Sequence, residues 1–383
     1  MPPSAPIQFH RRRVLFIFGT RPEAIKLCPI VLHMQARPDE FDVKVCVTAQ
    51  HREMLDQVLA VFQVRPDYDL NVMRPNQTLS QSTARIIAAL EPVIEDSQPE
   101  LVIVQGDTTT TFCGALAAFY HRVAVGHVEA GLRTGDLWQP FPEELNRVLT
   151  TRLTKLHFAP TTASAANLRA EGVDDTSIFI TGNSGIDAVL HVRDKLKAGG
   201  LAGFQGVALM PNRKLIVVTA HRRENFGDGL TRLYQAIAQL AARPDVQIIY
   251  PVHPNPNVRQ PAEAQLGGLS NVHLIAPLDY VPFVDLMQRA YLLLTDSGGV
   301  QEEAPSLGKP VLVLREKTER PEAVEAGTVR LVGTDGEKIL AEASALLDDP
   351  AQYQRMSRTH NPYGDGQASR RIADVIANGV FAN

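Results

Sequence analysis

Short apolar runs recur along this chain, each ending in a polar loop that leads into an amphipathic helix. That alternation restricts the fold to parallel α/β layers. Residues 14–18, VLFIF, run into GTRPE and a helix from Ala24. Residues 43–48 lead to Gln50-His51-Arg52 and a helix carrying Met54, Leu55, Val58 and Leu59. Helical spacing of Ile86, Ile87, Leu90 and Ile94 predicts a helix over 80–95. Residues 101–105 form the next strand, and Gly106-Asp107 with four threonines crosses into a helix whose apolar face is Phe112, Ala115, Leu116 and Phe119. A strand over 124–128 ends at Glu129, and Pro142 opens a helix through Leu145, Val148 and Leu149. The pattern then starts again, with strands over 215–219 and 246–250, the loops 220–224 and 251–254, and a helix from about Gly229. Organisation repeats without sequence repeating, which two Rossmann-like domains facing one another explain. The expected division is 1–182 and 183–363, with 364–383 completing the first domain through a helix built on Ile372, Val375 and Ile376.

At 383 residues, two domains or one large one are expected. A formal net charge of −4 gives no basic footprint for nucleic acid. The triplet Arg11-Arg12-Arg13 resembles the start of a signal peptide, but the apolar run behind it is too short and meets Arg21 and Glu23. We read 1–10 as a loose arm. No apolar run is long enough to span a bilayer. Cys28, Cys46 and Cys113 are scattered without metal-ligand spacing, which suits free thiols in a reduced cytoplasm. The sequence has no Walker A motif, no GxGxxG after the first strand, no HExxH and no GxSxG elbow. This argues against a P-loop ATPase, an ordinary NAD enzyme, a zinc peptidase and an α/β-hydrolase.

Residues 294–323, LTDSGGVQEEAPSLGKPVLVLREKTERPEA, carry the strongest local signal. A buried strand ends at Thr295, Asp296-Ser297-Gly298-Gly299 breaks it, and a short helix with Val300, Ala304 and Leu307 on one face stops at Gly308. Two glycines at a helix start let backbone approach a ligand, and the free N–H groups there favour an anion. Ser297 can cap the helix or donate to a phosphate, and Glu303 is placed to accept from a vicinal diol such as a ribose. Arg315, Lys317 and Arg320 follow the next strand, where such folds keep their ligand crevice. The alternative is an ordinary glycine turn beside solvated charges.

The same strand-end rule selects Arg21, Lys26, 50–52, Asp107, Glu129, Arg133, His221, Arg222, Arg223 and His253. Asp107 and Glu129 end neighbouring strands, and paired carboxylates can serve as acid and base. Each has a plainer alternative: a helix N-cap for Asp107, a structural ion pair with Arg133 for Glu129, a solvated loop position for His221.

The stretches GTRPEAIKL (19–27), QHREMLDQVLA (50–60), GDTTTTF (106–112), HVEAGLRTGDL (127–137), PEELNRV (142–148), TGN (181–183), HRRENF (221–226), 296–316, 318–336 and NPYGDGQASR (361–370) together resemble the non-hydrolysing UDP-N-acetylglucosamine 2-epimerases. The likeness runs from about residue 14 to the end. It implies a GT-B architecture, two Rossmann-like domains across a deep cleft with the last helix crossing back, and a homodimer. It implies reversible conversion of UDP-N-acetylglucosamine to UDP-N-acetylmannosamine for bacterial surface polysaccharides, without NAD or metal. The family's route eliminates UDP to give 2-acetamidoglucal, then re-adds UDP with the C2 proton returned to the other face. Such a site must stabilise the leaving group and supply acid–base groups near C2.

By motif, the resemblance makes Asp107, Glu129 and Glu143 the acidic residues and His221 the contact for the diphosphate. Arg21 and Lys26 meet the substrate from the first domain, Ser297, Gly298 and Gly299 hold phosphates, Glu303 the ribose, Phe283 the uracil, and Arg320 closes the phosphate or sugar side. An activator site in some relatives uses positions matching Gln50, Arg222 and His253. Here Glu53 and Asn76 stand where Gln and Arg are expected, Leu278 replaces a Gln near the uracil, and Ser184-Gly185 replaces Thr-Val. A hydrolysing relative, an acceptor-dependent glycosyltransferase and a binding protein without catalysis are the competing readings.

Overall fold

A computed structural model describes residues 11–48, 52–74, 76–318, 320–358, 360–379 and 381. The chain divides into two compact units: one runs to Ala188 and resumes at Gly364, and the other is Val189–Tyr363. The sequence reading put the change at 182/183; the chain passes between units within the helix Ser184–Lys197.

The first unit holds strands β1 (Arg12–Phe18), β2 (Phe41–Val47), β3 (Tyr68–Asp69), β4 (Leu101–Gln105), β5 (Ala124–Val128), β6 (Leu156–Ala159) and β7 (Ile178–Ile180). They pair in parallel in the order β3-β2-β1-β4-β5-β6-β7, with Val14 opposite both Val43 and Leu101. Every residue of β4 is buried, as expected of a parallel strand covered by helices on both faces. The second unit holds β8 (Lys214–Thr219), β9 (Val246–Pro251), β10 (Val272–Ile275), β11 (Leu292–Thr295), β12 (Val311–Val313) and β13 (Val329–Leu331), in the order β10-β9-β8-β11-β12-β13, again parallel. In each sheet the order reverses once, between β1 and β4 and between β8 and β11. Open α/β sheets bind ligands at the carboxyl ends of the strands flanking such a reversal. Those ends carry Arg21 and Asp107 in one unit, and His221 and the Ser297-Gly298-Gly299 turn in the other.

Two helices differ from their sequence reading. The apolar face assigned to the helix Thr109–Tyr120 is only partly inward. The residues it buries include Cys113, Gly114, Ala115, Ala117 and Ala118, while Phe119 and Tyr120 are exposed. The helix Glu143–Leu153 is turned the other way round. It buries Glu144, Asn146, Arg147, Thr150 and Thr151 and exposes Leu145 and Leu149. An apolar repeat locates a helix but does not say which side meets the core when a buried polar cluster competes for that side.

The helix Ala368–Ala377 returns to the first unit. Ile372, Ala373 and Ile376 are buried, Arg37 Nη1 donates to Asp374 Oδ1 at 2.7 Å, and Asp187 accepts the N–H groups of Ala368 and Ser369 at its start. No helix among the described residues is long and apolar enough to cross a membrane.

Candidate active site

In the first unit the turn after β1 is held by its own hydrogen bonds. Thr20 caps the helix Arg21–Gln35 in a capping box with Glu23, whose Oε2 accepts from Gly19 N at 3.1 Å and Thr20 N at 2.7 Å. Glu23 Oε1 accepts from the Thr108 hydroxyl at 2.7 Å, which ties this turn to the one after β4. Burial raises the Glu23 pKa, and its hydrogen bonds oppose that rise. Three of the four threonines have separate tasks. Thr108 caps the helix Thr109–Tyr120, Thr110 meets the Thr48 hydroxyl at 3.0 Å, and Thr111 donates to the Gln105 carbonyl at 2.5 Å. Asp107 is therefore not the cap.

Asp107 and Glu129 both engage cations. Arg147 Nε and Nη2 donate to Asp107 Oδ2 at 2.9 and 2.6 Å, and Asn146 Nδ2 donates to the Asp107 carbonyl at 2.9 Å. Burial alone would lower the Arg147 pKa; the Asp107 and Glu144 carboxylates outweigh it and hold the guanidinium charged. Lys26 Nζ lies 2.5 Å from Glu129 Oε1, and Gln105 Nε2 donates to Glu129 Oε2. Glu129 does not pair with Arg133. That arginine is taken by Glu171 at 2.6 Å and by the Thr151 hydroxyl. Glu129 also sits at φ +65°, a left-handed backbone that glutamate seldom adopts and that concentrates at functional positions. Arg21 opens its helix and Glu143 opens the helix bearing Arg147, both half-buried. Among the described residues neither side chain has a hydrogen bond or ion pair, so both remain available to a ligand.

In the second unit a fully buried carboxylate organises the turn. Asp296 Oδ2 accepts the backbone N–H groups of His221 and Arg222, each at 2.8 Å, and Asn225 Nδ2 at 3.2 Å. His221 Nδ1 lies 3.3 Å from Asp296 Oδ1 without hydrogen-bond alignment, and its ring stacks on His253 at 5.7 Å. Burial lowers the His221 pKa; Asp296 opposes this, and His253 and Arg222 add to it. Arg222 and His253 thus gather around His221. Gln50, the third position of the expected activator set, lies outside the described residues.

Ser297 precedes the helix Gly298–Glu303 but makes no side-chain cap, because its hydroxyl does not reach the helix N–H groups. Instead its own N–H donates to Thr295 Oγ1 at 3.0 Å. Gly298 and Gly299 are glycines for different reasons. A Cβ on Gly298 would stand 2.8 Å from Arg320 Cζ, whereas one on Gly299 would meet only Glu303 Oε1, at 3.9 Å. Arg320 Nε donates to Glu302 Oε1 at 2.8 Å. Phe283 lies half-buried on the helix Tyr280–Arg289. Arg315, expected at the crevice, forms an ion pair at 2.7 Å with Glu224 of the loop after β8.

Sequence reasoning missed Gln105, Glu144 and Arg147 as members of these clusters. Glu144 and Arg147 stand in the quoted PEELNRV stretch, and their only local signal was polarity where the other helices bury apolar residues.

Two parallel α/β units, each with its polar groups at the strand-order reversal, define a GT-B-like protein. A glycosyltransferase of kitacinnamycin, only 12% identical, shares the fold at a TM-score of 0.65. Residues 33–377 match the family described as UDP-N-acetylglucosamine 2-epimerase. The UDP-N-acetylglucosamine 2-epimerase of Escherichia coli K12 is 57% identical over 371 residues, covering 96% of this chain and 98% of that protein. The Neisseria meningitidis UDP-GlcNAc 2-epimerase, solved bound to UDP-GlcNAc, is 49% identical with a TM-score of 0.85, covering 95% of this chain and 99% of the other. The chain belongs to the UDP-N-acetylglucosamine 2-epimerase family.

Proposed function

We propose that this chain interconverts UDP-N-acetylglucosamine and UDP-N-acetylmannosamine without releasing free sugar. UDP departs from C1 as a carboxylate removes the C2 proton, leaving 2-acetamidoglucal; UDP then adds back while a proton returns to the other face of C2. Departure of UDP makes the ring cation-like, so the C2 proton becomes easier to remove. The observation that carries this reading is the pair Asp107 and Glu129. Two acids end adjacent strands β4 and β5, each held by a cation, and Glu143, without a hydrogen bond or ion pair among the described residues, opens the helix that carries Arg147. Paired acids of this kind suit proton removal from one face and return to the other.

In the second unit, the backbone at Gly298 and Gly299 is assigned to the diphosphate and Glu303 to the ribose. Phe283 is assigned to the uracil, and His221 to the departing oxygen. The elimination involves no redox step, so activity should survive EDTA and the removal of nicotinamide nucleotides. We assign the enzyme to the cytoplasm, supplying surface polysaccharide synthesis. We also propose a homodimer, through the outward Phe119, Tyr120, Leu145 and Leu149, because exposed apolar side chains grouped on two packed helices favour burial against a second copy.

The deciding experiment is NMR of UDP-N-acetylglucosamine incubated with the enzyme in deuterated water. The manno product should appear as the UDP-sugar with deuterium at C2. Free N-acetylmannosamine with stoichiometric UDP would mean a hydrolysing enzyme, and no change without an added acceptor would mean a transferase.

A further inference from the structure

Arg147 and Glu144 are charged and buried, unlike the half-buried Glu143. Burying a charged pair is costly and seldom a device for stability, so what the pair holds in place matters more than its own energy. Its contacts run in one direction. The amides of Thr134 and Gly135 donate to Glu144 Oε1, both at 3.0 Å, and Glu144 Oε2 accepts Arg147 Nη1 at 2.8 Å. The two remaining guanidinium nitrogens both go to one oxygen of Asp107. Among the described residues Asp107 Oδ1 accepts no hydrogen bond. The backbone is fixed as well, since Asn146 holds the Asp107 carbonyl and His127 Nε2 lies 2.7 Å from the Gly106 carbonyl.

We propose that Arg147 is a positioning residue: held by Glu144, it clamps Oδ2 of Asp107 and so leaves Oδ1 as the single oxygen that exchanges a proton with the substrate. The proposal rests on Asp107 being an acid–base group of the epimerisation. Two N–H donors on one oxygen stop the carboxylate from rotating, and a guanidinium that cannot be deprotonated keeps the clamp charged at every working pH. The helix Glu143–Leu153 buries its polar face for this reason: Glu144, Asn146 and Arg147 all serve the turn that carries Asp107 or the loop before the helix.

A residue that acts only through Asp107 has no effect once Asp107 is disabled. The test is therefore a double-mutant cycle on the full-length enzyme: Asp107→Asn, Arg147→Gln and the two together, with kcat, KM and calorimetric UDP binding. Arg147→Gln should lower kcat about a hundredfold, with KM and UDP affinity within about threefold of the parent. The double variant should be no slower than Asp107→Asn alone. Arg147→Lys keeps the charge but not the fork, and should lose about tenfold in kcat; it decides the matter should Arg147→Gln fail to fold. Losses that multiply in the double variant, or parental kcat in either Arg147 variant, overturn the clamp. Full turnover in Asp107→Asn would instead overturn the assignment of Asp107, so the two failures are told apart.

Discussion

The carboxyl ends of the two sheets solve the same problem by different means. In the first unit, beyond the turn after β1 that Glu23 holds by its N–H groups, side chains hold the acids: Lys26 with Glu129, Arg147 with Asp107, Glu144 with Arg147. In the second, one buried carboxylate, Asp296, gathers backbone N–H groups, so that the turn after β8 is fixed through its main chain. Chemistry that must hold a proton donor or acceptor within a fraction of an ångström favours the first arrangement. Binding of a diphosphate, which asks for N–H groups and close approach, favours the second.

That contrast predicts separable defects. The largest belongs to the first unit: Asp107→Asn and Glu129→Gln should each lose about 10²–10⁴-fold in turnover, about 3–5 kcal/mol of barrier, while binding UDP normally. Steady-state rates with calorimetry decide it, and UDP binding lost alongside turnover would erase the distinction between the units. Next is Asp296→Ala, which leaves two backbone N–H groups without their acceptor, while the Asn225 amide keeps the Leu314 carbonyl. At ~1–3 kcal/mol for each unmet donor, the second unit should lose roughly 2–6 kcal/mol and bind UDP poorly. Denaturant unfolding should show this, and an unchanged midpoint would mean that Asp296 does not organise the turn.

Smaller effects sharpen the comparison further. Gly299→Val and Glu303→Ala should each weaken UDP binding at least about tenfold, about 1.4 kcal/mol, and Gly299→Val should do so without altering the unfolding midpoint, since the space beside Gly299 is open. Tight UDP binding by both variants would move the nucleotide elsewhere. A separate effect is on stability against pH. Burial pushes the His127 imidazole down to about 3, so below about 6.5 the unfolded chain binds a proton that the folded one refuses. Its contribution is complete above 6.5 and falls by about 1.4 kcal/mol per pH unit as the pH drops towards 3. His127→Gln should flatten that slope in urea unfolding between pH 7 and pH 5; an unaltered slope would assign the acid sensitivity to other groups.

Much of this was legible in the sequence. Apolar runs such as those of β1, β4, β8 and β11, each stopped by a polar loop, read as buried strands, and the loops behind them were the places to look for polar groups. The short outer strands escaped notice: Tyr68–Asp69, Ile178–Ile180 and Val329–Leu331 are two or three residues long and lie at sheet edges, where there is no run to read. The partners of the acids were hidden for another reason. Lys26 and Glu129 are 103 positions apart, and Arg147 and Asp107 are 40 apart. Spacing along a chain says nothing about pairs that only strand order brings together. Glu129's left-handed backbone has no signature at all, because glutamate does not advertise it as glycine or asparagine would.

The inverted helix Glu143–Leu153 has a consequence for how activity depends on concentration. Its eleven residues make about three turns, stiff enough to move as one piece, with Arg147 on one side and Leu145 and Leu149 on the other. In the proposed homodimer the side away from Asp107 would be covered by a second copy, leaving the helix no spare face. Dilution that separates the copies would then release the outer side first and be felt at the clamped carboxylate, so that turnover would fade before the chain unfolds.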